Sequence, residues 1–361
     1  EVLKKIFHDR TAGWIGYFLL ITITSLWCYW SAGEMYHEGW WGPFYIRLIY
    51  LIPGAAFLLI TFISIRWPRL GGWLLVIFGG LFAVFFMDIH IVDGKVTADR
   101  DLTGSLVSAP LVFLGVLILI EGRNKKIRTA AGWRPPPRWW RRNFWMLLAL
   151  GIPTLVLAGM SVYSLPIVLT REDDGLRGLR RITGNDGVTR EWAPAGPGWN
   201  WKQDYGGYPS WQMIALYGVE PVGMETKAGY DSRQGQFASV EEMANDNLCL
   251  YLSEDGSTLE EKAQYFWRMP TIEDFARSFA RHGVNAGCEW KGEPNEQMDC
   301  DLLPDKETPL WAPDLEPIYY WTAEELDERG AYFVSYNGWV NATYKAGGNP
   351  RHGYRCVRSV E

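Results

Sequence analysis

Residues 122–143, GRNKKIRTAAGWRPPPRWWRRN, carry eight basic side chains (Arg123, Lys125, Lys126, Arg128, Arg134, Arg138, Arg141 and Arg142) and no acid, with a long apolar run on either side. Positive charge beside membrane spans is retained on the cytoplasmic side, so this loop sets the expected orientation of everything else. Crossing a bilayer core takes roughly 20 apolar residues in a helix. Five stretches supply them, at about 12–32, 44–65, 70–91, 103–121 and 144–169. Lys4, Lys5 and Arg10 precede the first, and Arg66 and Arg69 lie between the second and third. The alternate loops, 33–43 and 92–102, are acidic or balanced. The expectation is a multi-pass protein of the plasma (inner) membrane, with its N-terminus cytoplasmic and everything beyond 169 outside. The chain opens on Glu rather than Met, and its first apolar run is long enough to span rather than to serve as a cleavable signal.

Charge divides the chain at the same place. Residues 1–169 hold 16 basic and 9 acidic side chains, whereas residues 170–361 hold 19 basic and 32 acidic. An acidic outer half argues against nucleic acid as a partner, because phosphate binding needs a basic surface. Of the 20 tryptophans, 11 lie in the first 145 residues near span ends, where indoles favour the lipid–water boundary. Gly71, Gly72, Gly79 and Gly80, and Gly104, Ser105, Ser108 and Ala109, are placed to let helices approach closely in lipid. Pro53, Pro110 and Pro153 should bend their helices. No charged residue sits clearly at mid-membrane, which weighs against a proton relay, an ion pathway or a transporter.

Glu34, His37, Glu38, Arg47, Asp88 and His90 map to the outer ends of spans one to three. Such groups suit a metal or a quinone head group. Their spacing matches no ligand motif, so interfacial polar residues satisfied by water and by each other are the competing reading. None of the five histidines is central in a span, which disfavours haem.

Beyond Thr170 the composition turns to Gly, Pro, charged and aromatic residues. Residues 170–190 read as a polar tether and 191–361 as a globular domain. Ser239 with Glu242 makes a capping box, and Val240, Met243, Ala244 and Leu248 recur at helical spacing, which predicts a helix over 239–253 carrying Cys249. A second helix is expected from Thr271, with Ile272, Phe275, Ala276 and Phe279 buried and Gly283 as its stop. IYYW and AYFVSYNGWVNATY read as strands with an Asn337-Gly338 hairpin turn, and GYRCVR as a closing strand. Cys249, Cys288, Cys300 and Cys356 all lie in this half, an even number that reads as two disulfides outside the cytoplasm. Three pairings are open. No CxxC or Cys/His cluster suggests zinc.

Trp267-Arg268-Met269-Pro270-Thr271 before an acidic helix resembles the WRLPT…E signature of a bacterial extracytoplasmic family, the DUF1566 or Lcl type. Tyr320-Trp321, a Gly-turn hairpin and a terminal Gly353-Tyr354-Arg355-Cys356-Val357-Arg358 follow in that family's order. The resemblance covers roughly 190–361. It implies a fold similar to formylglycine-generating enzymes and, more distantly, to C-type lectins. The expected architecture is therefore an all-α bundle of five transmembrane helices followed by an α+β, lectin-like domain. The resemblance further implies that Cys249 pairs with Cys356 and Cys288 with Cys300.

It also supplies tests of function. Formylglycine-generating enzymes use a reactive cysteine pair near the end of the domain, where this chain has only Cys356 in its last sixty residues. The His-x3-His-x-Glu cluster of the iron-dependent relatives is absent. Glu293-Pro294-Asn295, with Asp299 or Asp301 close by, resembles the calcium and sugar motif of C-type lectins. The lectin's Trp-Asn-Asp is matched only by Trp339-Val340-Asn341. Trp199, Trp201, Tyr205, Tyr208 and Trp211 are candidates to stack on a sugar or to anchor a protein. Asn341-Ala342-Thr343 is a glycosylation triplet. The leading expectation is a non-catalytic accessory or scaffolding subunit without a cofactor, sitting in the lipid bilayer and contacting other membrane or surface proteins. A calcium-dependent glycan receptor and a formylglycine-generating-type oxidising enzyme are the alternatives.

Overall fold

The computed structural model describes residues 10–41, 44–85, 87–92, 95–100, 102–132, 137–194, 210–219, 237–307, 310–315, 317–347 and 351–360. The chain forms two compact units, 1–168 and 169–361.

The first unit is helical. Its elements are α1 (Thr11–His37), α2 (Phe44–Tyr50), α3 (Ile52–Arg66), α4 (Pro68–Phe85), α5 (Leu102–Ala130), the short α6 (Trp139–Arg142) and α7 (Phe144–Leu169). Among the described residues, α1 and α7 are each long and apolar enough to cross a membrane. A third such element results if α2 and α3, bent by 45° at Leu51, count as one. Pro53 sits in the first turn of α3, where its missing N–H costs nothing, so the bend falls just before it. The expected third span over 70–91 is shorter than its apolar run. Its helix ends at Phe85, and β1 (Met87–Val92) pairs antiparallel with β2 (Lys95–Arg100). The β-branched residues Ile89, Ile91 and Val92, followed in sequence by Asp93-Gly94, favour a hairpin over further helix.

Small residues let α4 and α5 touch at backbone distance. A Cβ on Gly72 would meet Leu119 Cγ at 2.7 Å and the Gly115 carbonyl oxygen at 2.9 Å, while one on Gly115 would meet the Gly72 carbonyl oxygen at 2.8 Å. Gly79 stands in the same relation to Val112 and the Ser108 carbonyl. Gly80 faces open space. Gly72→Leu should therefore force the two helices apart and cost about 3 kcal/mol, whereas Gly80→Leu should cost little. Thermal aggregation of the two variants in detergent checks this, and equal midpoints would sink it. Between α1 and α3, apolar packing such as Trp27 stacked on Phe57 at 4.9 Å is joined by polar contacts: the Thr24 and Thr61 hydroxyls lie 2.7 Å apart and the Gly54 N–H donates to Ser31 Oγ at 3.0 Å.

The second unit is α+β. A five-stranded sheet runs β11 (His352–Gly353), β8 (Tyr319–Glu325), β9 (Gly330–Ser335), β10 (Trp339–Tyr344) and β7 (Glu296–Gln297), antiparallel except for the β11–β8 pair. A three-stranded antiparallel sheet runs β12 (Val357–Val360), β4 (Thr189–Trp192) and β3 (Arg180–Thr183), so both ends of the unit pair with each other. β5 (Ala280–Arg281) and β6 (Val284–Asn285) form a small hairpin. Short helices α8 (Trp211–Ala215), α9 (Val240–Asn245) and α10 (Ile272–Ser278) complete it.

Four expectations change here. The tether is mostly domain: residues 180–192 are a sheet hairpin, and their charges are neutralised across strands, with Glu191 between Arg181 and Arg358. The helix expected over 239–253 keeps its capping box but ends at Asn245. There the Asn247 side chain takes over, donating to the Met243 carbonyl and accepting from the Cys249 N–H, so Cys249 sits in a separate 3-10 turn. α10 stops at Ser278, five residues before the expected Gly283, because Phe279 turns extended to bury its ring on Trp311 at 5.4 Å. Gly283, at φ 71°, instead makes the β5–β6 turn. The closing strand begins at Val357.

Both disulfides form as the resemblance implied. Cys249–Cys356 joins residues 107 apart in sequence with Cα atoms 5.6 Å apart, and Cys288–Cys300 joins residues 12 apart. The first lies in a core of Trp211, Trp267, Met269, Trp321 and Tyr354. A second aromatic stack, Trp192, Phe275, Trp311 and Tyr320, fills the space between α10 and the sheets, with neighbouring centroids 4.8–5.7 Å apart.

Candidate functional site

The signature residues of the outer unit turn out to hold the fold. Trp267 is buried and its indole N–H donates to the Ser253 carbonyl, while Arg358 lies 4.2 Å over its ring. Arg268 makes a fork onto Asp274, and Thr271 caps α10. The Pro270 carbonyl accepts from the Ala323 N–H, which ties this segment to β8. Arg355 is fully buried and donates to the carbonyls of Ala193 and Leu310. Burial pushes that guanidinium down to about 10.

Charged groups elsewhere in the unit are also paired internally. A polar cleft of about 600 Å³ is lined by Arg181, Glu191, Ser253, Asp255, Thr258 and Arg358 among others. Glu191 holds both of its arginines, and Asp255 accepts from the Ser253 and Ser257 hydroxyls, which hold its carboxyl down to about 2. A second cluster links Asp305 to Arg171 and Arg281, with Glu307 beside it. Glu172, His282 and Glu307 bring one ligand-type atom each within 4.8 Å of the others. The Glu307 carboxylate is 2% exposed, and it accepts from the backbone N–H of His282. Arg281 Nε stands 3.5 Å from Glu307 Oε1, so a guanidinium already neutralises the buried carboxylate a metal would need.

The residues singled out from sequence divide. Trp211 is not a binding-surface residue: it is wholly buried, its N–H donates to the Thr322 carbonyl, and Lys345 Nζ lies 4.8 Å over its ring. Its place on a five-residue helix packed between the sheet and α9 explains the burial. Trp199, Trp201, Tyr205 and Tyr208 lie outside the described residues. Of the calcium set, Asp299 pairs with Lys291 at 3.2 Å, the Glu293 carbonyl accepts from the Trp290 indole, and Asn295 turns the chain at φ 60°. In the first unit Glu34 and His37 sit in the last turn of α1, and Glu38 accepts from the Tyr50 hydroxyl at 2.9 Å. Arg47 lies 4.0 Å over Trp40. Asp88 and His90 are on β1, not at a helix end.

No family model, curated protein or solved structure matches the chain.

One feature escaped the sequence reading. Tyr265 adopts φ 62° and is 72% exposed, and Phe266 beside it is 41% exposed. A bulky residue in the left-handed region is a genuine outlier, at a cost of about 1–3 kcal/mol. It is held there because the Gln264 and Tyr265 N–H groups both donate to the Leu250 carbonyl, while Trp267 plugs into the core next door. The result is an aromatic pair on a pinned turn, facing solvent. Nothing in the local sequence signals it, since the constraint comes from Leu250.

Proposed function

We propose that this chain is a non-catalytic accessory or scaffolding subunit of a membrane assembly, spanning the bilayer five times and displaying a lectin-like outer domain for contact with another membrane or surface protein. The two disulfides suit an oxidising compartment, and the charge balance of the helical unit favours the basic loop as cytoplasmic. The observation that carries the contact reading is the Tyr265–Phe266 turn. Backbone strain is retained where function needs it, and rigid exposed aromatics are the usual anchors of protein interfaces. The internal pairing of the arginines and carboxylates in the polar cleft also favours a structural role for those groups over a catalytic one.

Tyr265→Gly separates the two consequences of the strained turn. Glycine relieves the positive φ but adds unfolded-state entropy, so stability should change by no more than about 1 kcal/mol. The anchor, however, is gone. Mild-detergent extracts should show the wild-type chain in an assembly with a non-identical protein, and the glycine variant released from it at an unchanged melting temperature. Wild type running alone, or a variant that stays in the assembly, would overturn the proposal.

A further inference from the structure

The helical unit contains a cavity of about 620 Å³ lined by Arg66, Arg69, Lys125 and Lys126 together with Trp67 and Leu70. These four cations come from two separate stretches of sequence, and they converge because of one glycine. A Cβ on Gly122 would meet Arg69 Cγ at 2.9 Å and Arg69 N at 3.1 Å, so its absence lets α5 lie directly on the first turn of α4. No carboxylate lines the cavity. The nearest acid of α5, Glu121, is buried and already paired with Arg128. Among the described residues none of the four cations has a carboxylate partner. Lys125 is pushed below its ordinary value, by partial burial first and then by the Arg66 and Arg128 guanidiniums, against the pull of Glu121. The first turn of α4, an 18-residue helix, adds the positive end of its dipole. Four solvent-exposed cations at one helix junction, offset in part by the pull of Glu121 on Lys125, repel each other, and an anion seated among them relieves that repulsion.

The apolar part of the lining narrows the anion's identity. Arg66 lies 5.5 Å from the Trp67 ring centroid, and Trp67 and Leu70 are both exposed at the same rim. A tryptophan beside basic groups at a helix end is the arrangement that meets a membrane interface, and basic pockets between transmembrane helices on the cytoplasmic side take anionic headgroups. We infer that this cavity binds the phosphate headgroup of an anionic phospholipid, with Arg66, Arg69, Lys125 and Lys126 as the phosphate ligands and Trp67 and Leu70 against the glycerol and upper acyl chain. The inference rests on the reading of the helical unit as membrane-spanning with this end cytoplasmic.

The test uses the full-length protein in a zwitterionic detergent. Its melting temperature is followed against added phosphatidylglycerol, phosphatidylcholine or inorganic phosphate, for wild type and for Arg69→Gln/Lys125→Gln. Phosphatidylglycerol should raise the wild-type midpoint saturably and phosphatidylcholine should not. Without lipid the double variant should melt at or above the wild-type midpoint, because two of the mutually repelling charges are gone, and it should bind phosphatidylglycerol at least about tenfold more weakly. Equal response to both lipids, or an unaltered double variant, would overturn the inference. So would inorganic phosphate matching phosphatidylglycerol, which would make this a site for the free anion. An exposed cysteine introduced by Arg123→Cys, labelled in intact and in inverted vesicles, reports the orientation separately. Labelling from the cytoplasmic side with no lipid response would remove the lipid site and leave the topology standing.

Discussion

Replacing Cys249 and Cys356 together by alanine should remove about 4–5 kcal/mol from the outer unit. The bond closes 107 residues, and the chain-entropy model assigns about that much to a loop of roughly a hundred. The short Cys288–Cys300 bond closes only 12, for which the same model gives about 3 kcal/mol. The longer bond also ties the middle of the unit to its closing strand. Cys249 follows α9, whereas Cys356 directly precedes β12, the strand that pairs with β4. Without it, the closing strand is kept by its ladder, by the Arg268–Val357 bridge and by the contacts of Arg355 and Arg358. Native domains have about 5–15 kcal/mol in all, so the double variant should populate the unfolded outer unit measurably. Pulse proteolysis of the full-length protein across a urea series gives the midpoint. The long-bond variant should unfold at lower urea than a Cys288→Ala/Cys300→Ala variant, and reductant should bring wild type below both. A wild-type midpoint indifferent to reductant would contradict the assignment.

The same bonds show which parts of this chain are legible from residues alone. Spacing located α10 and its buried face, because Ile272, Phe275 and Ala276 fall on one side of a helix whatever they pack against. Asn337-Gly338 located the β9–β10 turn, with Gly338 at φ 81°, because that dipeptide has few other uses between strands. Hydropathy located the apolar helices but not their ends. It extended the third through Ile89 and Ile91, where β-branched side chains and a following Asp-Gly prefer a hairpin. What stayed hidden depends on partners far away in sequence. Arg180, Arg181 and Arg190 look like a solvated tether until Glu191 takes Arg181 together with Arg358 of β12, and α10 brings Asp274 to Arg190. The Tyr265 turn needs the Leu250 carbonyl, and the basic cavity needs the contact at Gly122. Trp211 misled for the converse reason: its neighbours in sequence are polar and aromatic, but its indole reaches the Thr322 carbonyl inside the core.

Asp274 is the point where those hidden contacts meet, and acid should expose its weight. Its side chain is 5% exposed and accepts from Arg190 Nε at 3.0 Å, from Arg268 at 2.6 and 3.1 Å, and from the Thr271 N–H and hydroxyl at 2.9 and 3.0 Å. Burial by itself would push the carboxyl up. Arg268, the Thr271 N–H and Arg190 outweigh it, and the group is held below the usual aspartate range. Asp186, on the other side of Arg190, is drawn down to about 2 by the same guanidinium. Groups with depressed folded-state values leave the unfolded chain binding more protons, so stability rises with pH through that interval. The contribution is complete above the ordinary value near pH 4 and is lost as pH falls toward the folded values. Asp274→Ala should cost about 3 kcal/mol at neutral pH, near the low end for a broken buried pair. Arg268 is half exposed and Arg190 keeps Asp186, so neither guanidinium is stranded completely. The variant should also lose part of the slope of stability against pH between about 4 and 2. Wild type and variant falling in parallel over that interval would mean that the network contributes nothing specific to folding. In that case the charges joining α10 to the β3–β4 hairpin would add no net stability, and the polar cleft beside them would again be open to a chemical role.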